Sequence, residues 1–264
     1  MDGANVATWS DKSDGGNDAT GTSGNQPAYT ATSINFNPAL DFDDVNTEEM
    51  AGTAGFNTEG YYIVVTPDDN LTSGSTAQTP IAYGAPPAAT NDLGGLIFGS
   101  ITGSFAGEVV THAIGGTGTI WRRGISSANI AQINSGQTYL FGVRDNADVA
   151  TTTEMYTNGL EQANLVGGSI LTSDDQDYNV GNLTQATTDA FGLNRFFDGK
   201  VGEIISYSVR PTNAEHIRIQ SYLSVKYGIT LDNSGGGTAG DYMSATNATP
   251  IWDASDYSTY HNDV

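Results

Sequence analysis

Apolar residues along this chain recur mostly at a spacing of two, in short runs broken by Gly, Asn, Asp, Thr and Pro. A period of two places alternate side chains on one face of a strand, so such runs predict half-buried β-strands. Val6 to Ser10 alternates and carries Trp9. Ala39 to Phe42 is short and apolar, and Tyr61 to Thr66 is β-branched and aromatic. Leu96 to Ile101 follows a Gly pair. Glu108 to Ile114 and Thr119 to Arg123 flank Gly115 to Gly118, which reads as a hairpin turn. Gln137 to Arg144 alternates through Tyr139, Phe141 and Val143. Thr152 to Thr157 runs into Asn158-Gly159, a strong signal for a two-residue hairpin. Val201 to Val209 is the longest strand expected. Short strands at this spacing predict a sandwich or a barrel.

The period changes once. From Thr212 to Tyr227 apolar residues fall at helical spacing, with Ile219 and Leu223 one turn apart and Tyr222 and Val225 beside them. Thr212-Asn213-Ala214-Glu215 has the form of a capping box, in which the Thr hydroxyl and the Glu carboxylate satisfy free backbone N–H groups. Gly228 suits a left-handed stop. One helix following the last long strand is expected to lie on the sandwich. The stretch from Asp232 to Val264 is polar and contains Gly235-Gly236-Gly237, a flexible joint. The domain reading is therefore 1–231 for the sandwich with its helix, and 232–264 for an extension.

Charge narrows the partners. The 264 residues include 30 Asp+Glu and 9 Lys+Arg, a formal net charge of −21. Such a chain repels phosphate backbones and anionic lipid surfaces, which argues against nucleic acid as a partner. The apolar runs are too short for a membrane span, and no signal peptide is visible at Met1. With no Cys, disulfides, zinc-thiolate sites and a cysteine nucleophile are excluded. The 13 Tyr and 9 Phe supply a core that a disordered acidic chain would lack. The scarcity of Lys beside abundant Thr, Ser, Asn, Gly and Asp reads as an extracellular bacterial composition.

Three stretches carry a resemblance. The first is Val6-Ala7-Thr8-Trp9-Ser10-Asp11-Lys12-Ser13, with Gly15-Gly16-Asn17-Asp18-Ala19-Thr20 and Gln26-Pro27-Ala28-Tyr29. The second is Asn37-Pro38-Ala39-Leu40-Asp41-Phe42-Asp43. The third is Phe197-Asp198-Gly199-Lys200-Val201-Gly202-Glu203-Ile204-Ile205-Ser206-Tyr207, leading to Lys226-Tyr227-Gly228-Ile229-Thr230-Leu231. Together they resemble the laminin-G-like, concanavalin A-like domain of large bacterial cell-surface proteins, of the Bacteroidota type. Met155 to Leu160 is similar to that family's strand–Asn-Gly–strand hairpin. The resemblance implies an all-β, two-sheet sandwich (jelly roll) with one amphipathic helix packed on it, located at the bacterial cell surface. Such domains begin with one more strand than is present before Met1-Asp2-Gly3. The resemblance thus implies either a truncated start or a strand supplied by a neighbour, hence self-association through an incomplete sheet edge. The tail from Ile251 is similar to the beginning of a further module.

Candidate chemistry follows from residue type. Ca²⁺ takes six to eight oxygens, so acidic turns are candidate sites. These are Asp41/Asp43/Asp44, Asp68/Asp69, Asp145/Asp148 and Asp174/Asp175/Asp177, the last two groups ranking highest because their acids fall in short turn-rich segments. Sugars stack their apolar faces on exposed rings. Trp121, Tyr61, Tyr83, Trp252 and Tyr178 are candidate platforms, whereas Trp9 reads as core. Trp121 beside Arg122-Arg123 marks a local cationic spot for an anionic glycan or a partner's carboxylate. The ligand-binding residues expected are Trp121, Arg122, Tyr83 and Tyr178; the metal ligands expected are Asp145, Asp148, Asp174, Asp175 and Asp177.

Enzyme readings find little support. No Glu-x-Asp-x-x-Glu-like strand of the glycoside hydrolases is present, and Glu203 is a lone carboxylate. His112, His216 and His261 are far apart and accompany no nucleophile elbow. No Gly-rich segment carries the Lys-Ser/Thr of a phosphate loop. The expected function is non-catalytic binding or adhesion to a glycan or a cell-surface protein, assisted by Ca²⁺. A structural subunit of an extracellular filament is the alternative, and a polysaccharide-degrading enzyme the weaker one.

Overall fold

A computed structural model of the protein describes residues 2–56, 59–73, 75–84, 93–99, 108–116, 119–126, 132–145, 153–162, 176–182, 195–232, 234, 240–246 and 249–256. Two antiparallel sheets face each other. One has eight strands in the order β1 (Thr8–Trp9), β2 (Ala19–Thr20), β5 (Met50–Phe56), β14 (Gln176–Val180), β7 (Gln78–Tyr83), β8 (Leu93–Phe98), β9 (Glu108–Gly116) and β10 (Thr119–Ser126). The other has seven, in the order β13 (Leu160–Glu161), β12 (Thr153–Thr157), β11 (Tyr139–Asp145), β6 (Gly60–Pro67), β15 (Gly199–Tyr207), β4 (Asn37–Phe42) and β3 (Ala28–Ile34). The helix α1 (Asn213–Tyr227) and a small hairpin of β16 (Tyr242–Met243) and β17 (Pro250–Trp252) complete the molecule. This is the two-sheet sandwich with one helix packed on it that the sequence implies.

The seven-stranded sheet is covered on both faces. Strand β6 is its centre and is buried along its whole length. Tyr61, Ile63 and Val65 point into the core between the sheets, with Phe42, Phe141, Val143 and Met155. Tyr62 and Val64 point the other way, onto Ile219, Leu223 and Tyr227 of α1. A strand buried on both sides must be apolar throughout, and Tyr-Tyr-Ile-Val-Val meets that demand.

Helix α1 forms as its caps dictate. The Thr212 hydroxyl accepts from the Glu215 amide and the Glu215 carboxylate accepts from the Thr212 amide. Gly228 closes the C-terminus at φ 67°, ψ 35°, a left-handed conformation that costs glycine nothing. Apolar residues occupy both sides: Ile219, Leu223 and Tyr227 are buried, while Tyr222 and Val225 are exposed.

Glycine and tyrosine alternate across the strands. Gly52 faces Tyr178 across β5 and β14, Gly94 faces Tyr83 across β8 and β7, and Gly142 faces Tyr62 across β11 and β6. In each pair the ring lies where a Cβ on the glycine would stand. A missing side chain on one strand thus admits a large ring from the next, which is the cross-strand pair at its closest.

The two-residue turn at Asn158-Gly159 is present as expected, with φ of 47° and 87° and Thr157 paired to Leu160. The edge strand β3 is covered by the chain's own first residues. The Gly3 amide donates to the Tyr29 carbonyl, Tyr29 to Ala4 and Val6 to Pro27. Asp2 accepts from the Ala31 amide.

Candidate functional site

Where β15 hands over to α1, the outer face of the seven-stranded sheet carries a groove of about 580 Å³. A β-bulge builds it. Between Val201 and Glu203 the register against β6 slips by one residue. Val201 faces the inter-sheet core, and Gly202 lies under the Tyr227 ring. After the slip Glu203, Ile205 and Tyr207 face the helix. Two consecutive residues on one face are what a bulge produces.

The groove is floored by Ile205 and Ile219 and flanked by Tyr207 and Tyr222; Arg210, Arg218 and Glu215 line its polar side. Both rings are held in place. Tyr207 packs edge-on against buried Tyr62 at 6.3 Å and 87°. The Tyr222 hydroxyl donates to Glu203 at 3.1 Å and accepts from Lys226 Nζ at 3.1 Å, yet 48% of Tyr222 stays exposed. Lys226 Nζ also lies 5.4 Å from the centre of the Tyr222 ring. Burial alone would lower the Lys226 pKa, but its hydrogen bonds to Glu203 and Tyr222 outweigh that and raise it.

A buried polar cluster fixes the loop that closes the groove. Arg144 Nε and Glu154 form an ion pair at 2.5 Å with both side chains almost wholly buried. Arg210 joins Glu154 at 3.2 Å. Arg144 also donates to the Pro211 carbonyl and the Tyr156 hydroxyl, and Tyr156 donates to Glu154. His216 Nδ1 is 2.7 Å from the Tyr62 hydroxyl. Burial, then the positive charges of Arg144 and Arg210, push the His216 pKa down to about 2, so its imidazole is neutral. Its Nδ1 and the Tyr62 hydroxyl share one hydrogen bond.

The C-terminal hairpin forms the groove's far wall. The Ser221 hydroxyl accepts from the Met243 amide. Arg218 Nη1 donates to the Ala245 carbonyl at 3.1 Å and its Nε to Ala214 at 3.3 Å. Asp241, Met243 and Ala245 are therefore held on the helix, and the Ala254 amide donates to buried Asp241.

The residues singled out from the sequence lie elsewhere. Tyr83 is 3% exposed and stacks on Phe56 at 5.3 Å; it is a core residue, because Gly94 opposite admits its ring. Tyr61 is fully buried. Tyr178 is Tyr83's cross-strand partner and is half-buried. Its hydroxyl donates to the Asn17 carbonyl at 2.7 Å, and burial followed by Asp11 and Asp18 pushes its pKa up to about 12. The Tyr83 ring is therefore corrected from stacking platform to core, and Tyr178 stands half-buried at its side. Trp9 packs against the core as expected. Trp121 and Arg122 sit on edge strand β10, paired with Ile114 and Ala113; their side chains lie outside the described residues.

Of the acids, Asp148, Asp174 and Asp175 lie outside the described residues, and Asp145 ends β11 with only its backbone described. Asp177 accepts from the amide of Ala54, which holds a left-handed φ of 63°. Asp41 and Asp68 flank Lys200 at 3.4 and 2.9 Å. Asp43 accepts from Val45 and Asn46 in its turn, and Asp69 accepts from Gln78. Among the described residues no three acids or histidines converge on a point where a metal ion would sit.

Sequence reasoning missed the groove. Its tyrosines and arginines read as ordinary strand and helix residues until β15, α1 and Ala245 are brought together. The available signal was Tyr222, an aromatic residue off the helix's buried stripe.

Comparisons with known proteins add the following. A family model described as a domain of unknown function (DUF8202) matches residues 215–264, the span of α1 from Glu215 and the C-terminal hairpin. None of the curated proteins matches the chain. Among solved structures the chain is similar to domain 4 of AbnA, a GH43 extracellular arabinanase from Geobacillus stearothermophilus, in complex with arabinotriose. That likeness has 16% identity and a TM-score of 0.48, and covers 77% of this chain and 92% of that one. It is similar to the CBM40 of Ruminococcus gnavus IT-sialidase bound to α2,3-sialyllactose, at 11% identity and TM-score 0.41, over 63% and 83%. It is also similar to the botulinum neurotoxin serotype G binding domain, at 10% identity and TM-score 0.47, over 84% and 51%.

Proposed function

We propose that this chain is a non-catalytic glycan-binding module working at the outside of a bacterial cell, and that its ligand lies in the groove between β15 and α1. The observation that carries the reading is the pair of anchored tyrosines: Tyr207 and Tyr222 flank an aliphatic floor, with Arg218 and Glu215 beside them. Rings receive the apolar faces of sugars, and a few polar groups orient the hydroxyls. The sequence suggests a glycan or a cell-surface protein as ligand; the flanking rings favour the glycan, and the groove is a different place from the residues expected.

The nearby ionisable groups support binding rather than reaction. A glycosidase needs a carboxylic acid and a carboxylate free to act on one bond. Glu154 is clamped by Arg144 and Arg210. Glu215 is committed to the helix cap, and the hydrogen bonds from Thr212 hold its pKa below the usual carboxylate range. The bacterial surface location rests on the low-Lys, acid-rich composition and on the resemblance to surface domains.

A glycan array tests the reading, followed by calorimetry on the strongest ligand. Tyr222→Ala is expected to weaken binding at least tenfold, about 1.4 kcal/mol, with unchanged circular dichroism. Phe36→Ala, on a turn where Phe36 is 87% exposed, is expected to leave binding unchanged. Repeating the array with a chelator shows whether Ca²⁺ takes part. A folded protein that retains no glycan, or a ligand indifferent to Tyr222→Ala, would refute the assignment.

A further inference from the structure

Building on the groove as the glycan site, we infer that it selects glycans bearing a carboxylate, with Arg218 as the residue that recognises it. The inference starts from where the positive charges go. In a chain of net charge −21 with 9 Lys+Arg, four of the seven bases whose side chains are described face an acid. Lys200 is held by Asp41 and Asp68, Lys226 by Glu203, and Arg144 and Arg210 by Glu154. Arg195 is buried with partners of its own. Lys12 is exposed in the loop after β1. Arg218 lines the groove and, among the described residues, forms no ion pair; its hydrogen bonds go to the backbone carbonyls of Ala214 and Ala245.

Those two carbonyls position the guanidinium without neutralising it. A guanidinium has five N–H donors in a planar fork. Nε and one N–H of Nη1 are occupied, which leaves the second N–H of Nη1 and both of Nη2. That end is the one that meets a carboxylate with two parallel hydrogen bonds. Being tethered to both the helix and the C-terminal hairpin, the group loses little freedom when it binds.

The lining carries one arginine that no described acid pairs, in a molecule of net charge −21. Arg210 and Arg218 line it against one acid, Glu215. Glu215 is turned to the helix cap, its Oε2 accepting from both the amide and the hydroxyl of Thr212. A strongly acidic protein repels acidic polymers in general. A carboxylated sugar therefore needs a local reversal of sign, and the reversal lies beside the two anchored rings. A neutral sugar offers such an arginine only hydroxyl acceptors, whereas a carboxylate adds the charge-assisted pair that no described acid supplies.

The test is an array of uronic-acid and nonulosonic-acid oligosaccharides, each printed beside its carboxyl-reduced counterpart. Calorimetry on the best pair follows at low and high salt. The carboxylate form is expected to bind at least tenfold more tightly than its reduced form, and the margin is expected to shrink as NaCl rises from about 0.05 to 0.5 M. Arg218→Gln is expected to erase the margin, so that the carboxylate form and its reduced form bind alike, and Arg218→Lys to restore part of it. Melting curves of both variants check that the Ala245 wall remains in place. Equal binding of the two forms, lost on Tyr222→Ala, would overturn the carboxylate inference and leave the glycan site standing. A margin that survives Arg218→Gln would overturn the role of Arg218. Absence of binding to every glycan would remove the site and the inference together.

Discussion

His216 lies at 5% exposure between Tyr62 and Tyr156, its ring 4.1 Å from that of Tyr156. Its folded pKa of about 2 stands far below the usual 6.5. A base with a depressed folded pKa contributes stability that is present above the unfolded value and is lost as pH falls below it. From pH 6.5 to 5 the unfolded chain gains this proton and the folded chain does not, which amounts to about 2 kcal/mol from this residue alone. His216→Asn keeps an acceptor near the Tyr62 hydroxyl but does not titrate. It is expected to lower stability at pH 7.5 by about 1–3 kcal/mol through imperfect packing and hydrogen bonding. By pH 5 the deficit should shrink by most of the titration contribution. Urea melts at both pH values measure this, and parallel losses at the two would refute the neutral imidazole. From the sequence alone His216 reads equally as core or surface. The deciding partner, Tyr62, is 154 positions away, and no local pattern links them.

Elements were legible in proportion to how much of their reason for existing is local. Helix α1 carries its start, stop and buried stripe in its own residues, and β6 carries its double burial as an apolar run. Strands β5 (Met-Ala-Gly-Thr-Ala-Gly-Phe) and β14 (Gln-Asp-Tyr-Asn-Val) show no such signal. Each is a strand because of the other: Gly52 leaves the space that Tyr178 fills. The groove was hidden for the same reason, since Tyr207, Arg218 and Ala245 belong to three different elements. Gly52→Ala tests the pairing. Its added methyl would fall within the Tyr178 ring, and overpacking of this kind costs about 1–3 kcal/mol. The double variant Gly52→Ala/Tyr178→Leu, which trades ring for methyl, is expected to lose less than the sum of its single changes, as contacting residues do. Additive losses in chemical denaturation would show that the two positions do not share one space.

Across the whole molecule, 30 acids against 9 bases make self-repulsion a standing destabilising influence. Asp198 is one place where it acts. Burial first, then the charges of Asp44, Asp69, Asp68 and Asp43, push its pKa up to about 6, while Lys200 two residues on is shared between Asp41 and Asp68. A carboxylate whose folded pKa is raised stabilises the fold while it is protonated, and that stability is lost as pH rises through about 6. Asp198 and His216 therefore act in opposite directions over the same acidic window. Asp198→Asn removes the repulsive charge and is expected to raise the melting temperature at pH 7.5. The gain should fade towards pH 4.5, where the native carboxyl is itself neutral. Added NaCl screens the same repulsion, so the wild-type chain is expected to gain more from 0.5 M salt at pH 7.5 than the variant does. Were Asp198→Asn equally stabilising at pH 4.5 and 7.5, the effect would be one of packing, and the acidic cluster would not be a place where the molecule's excess charge is felt.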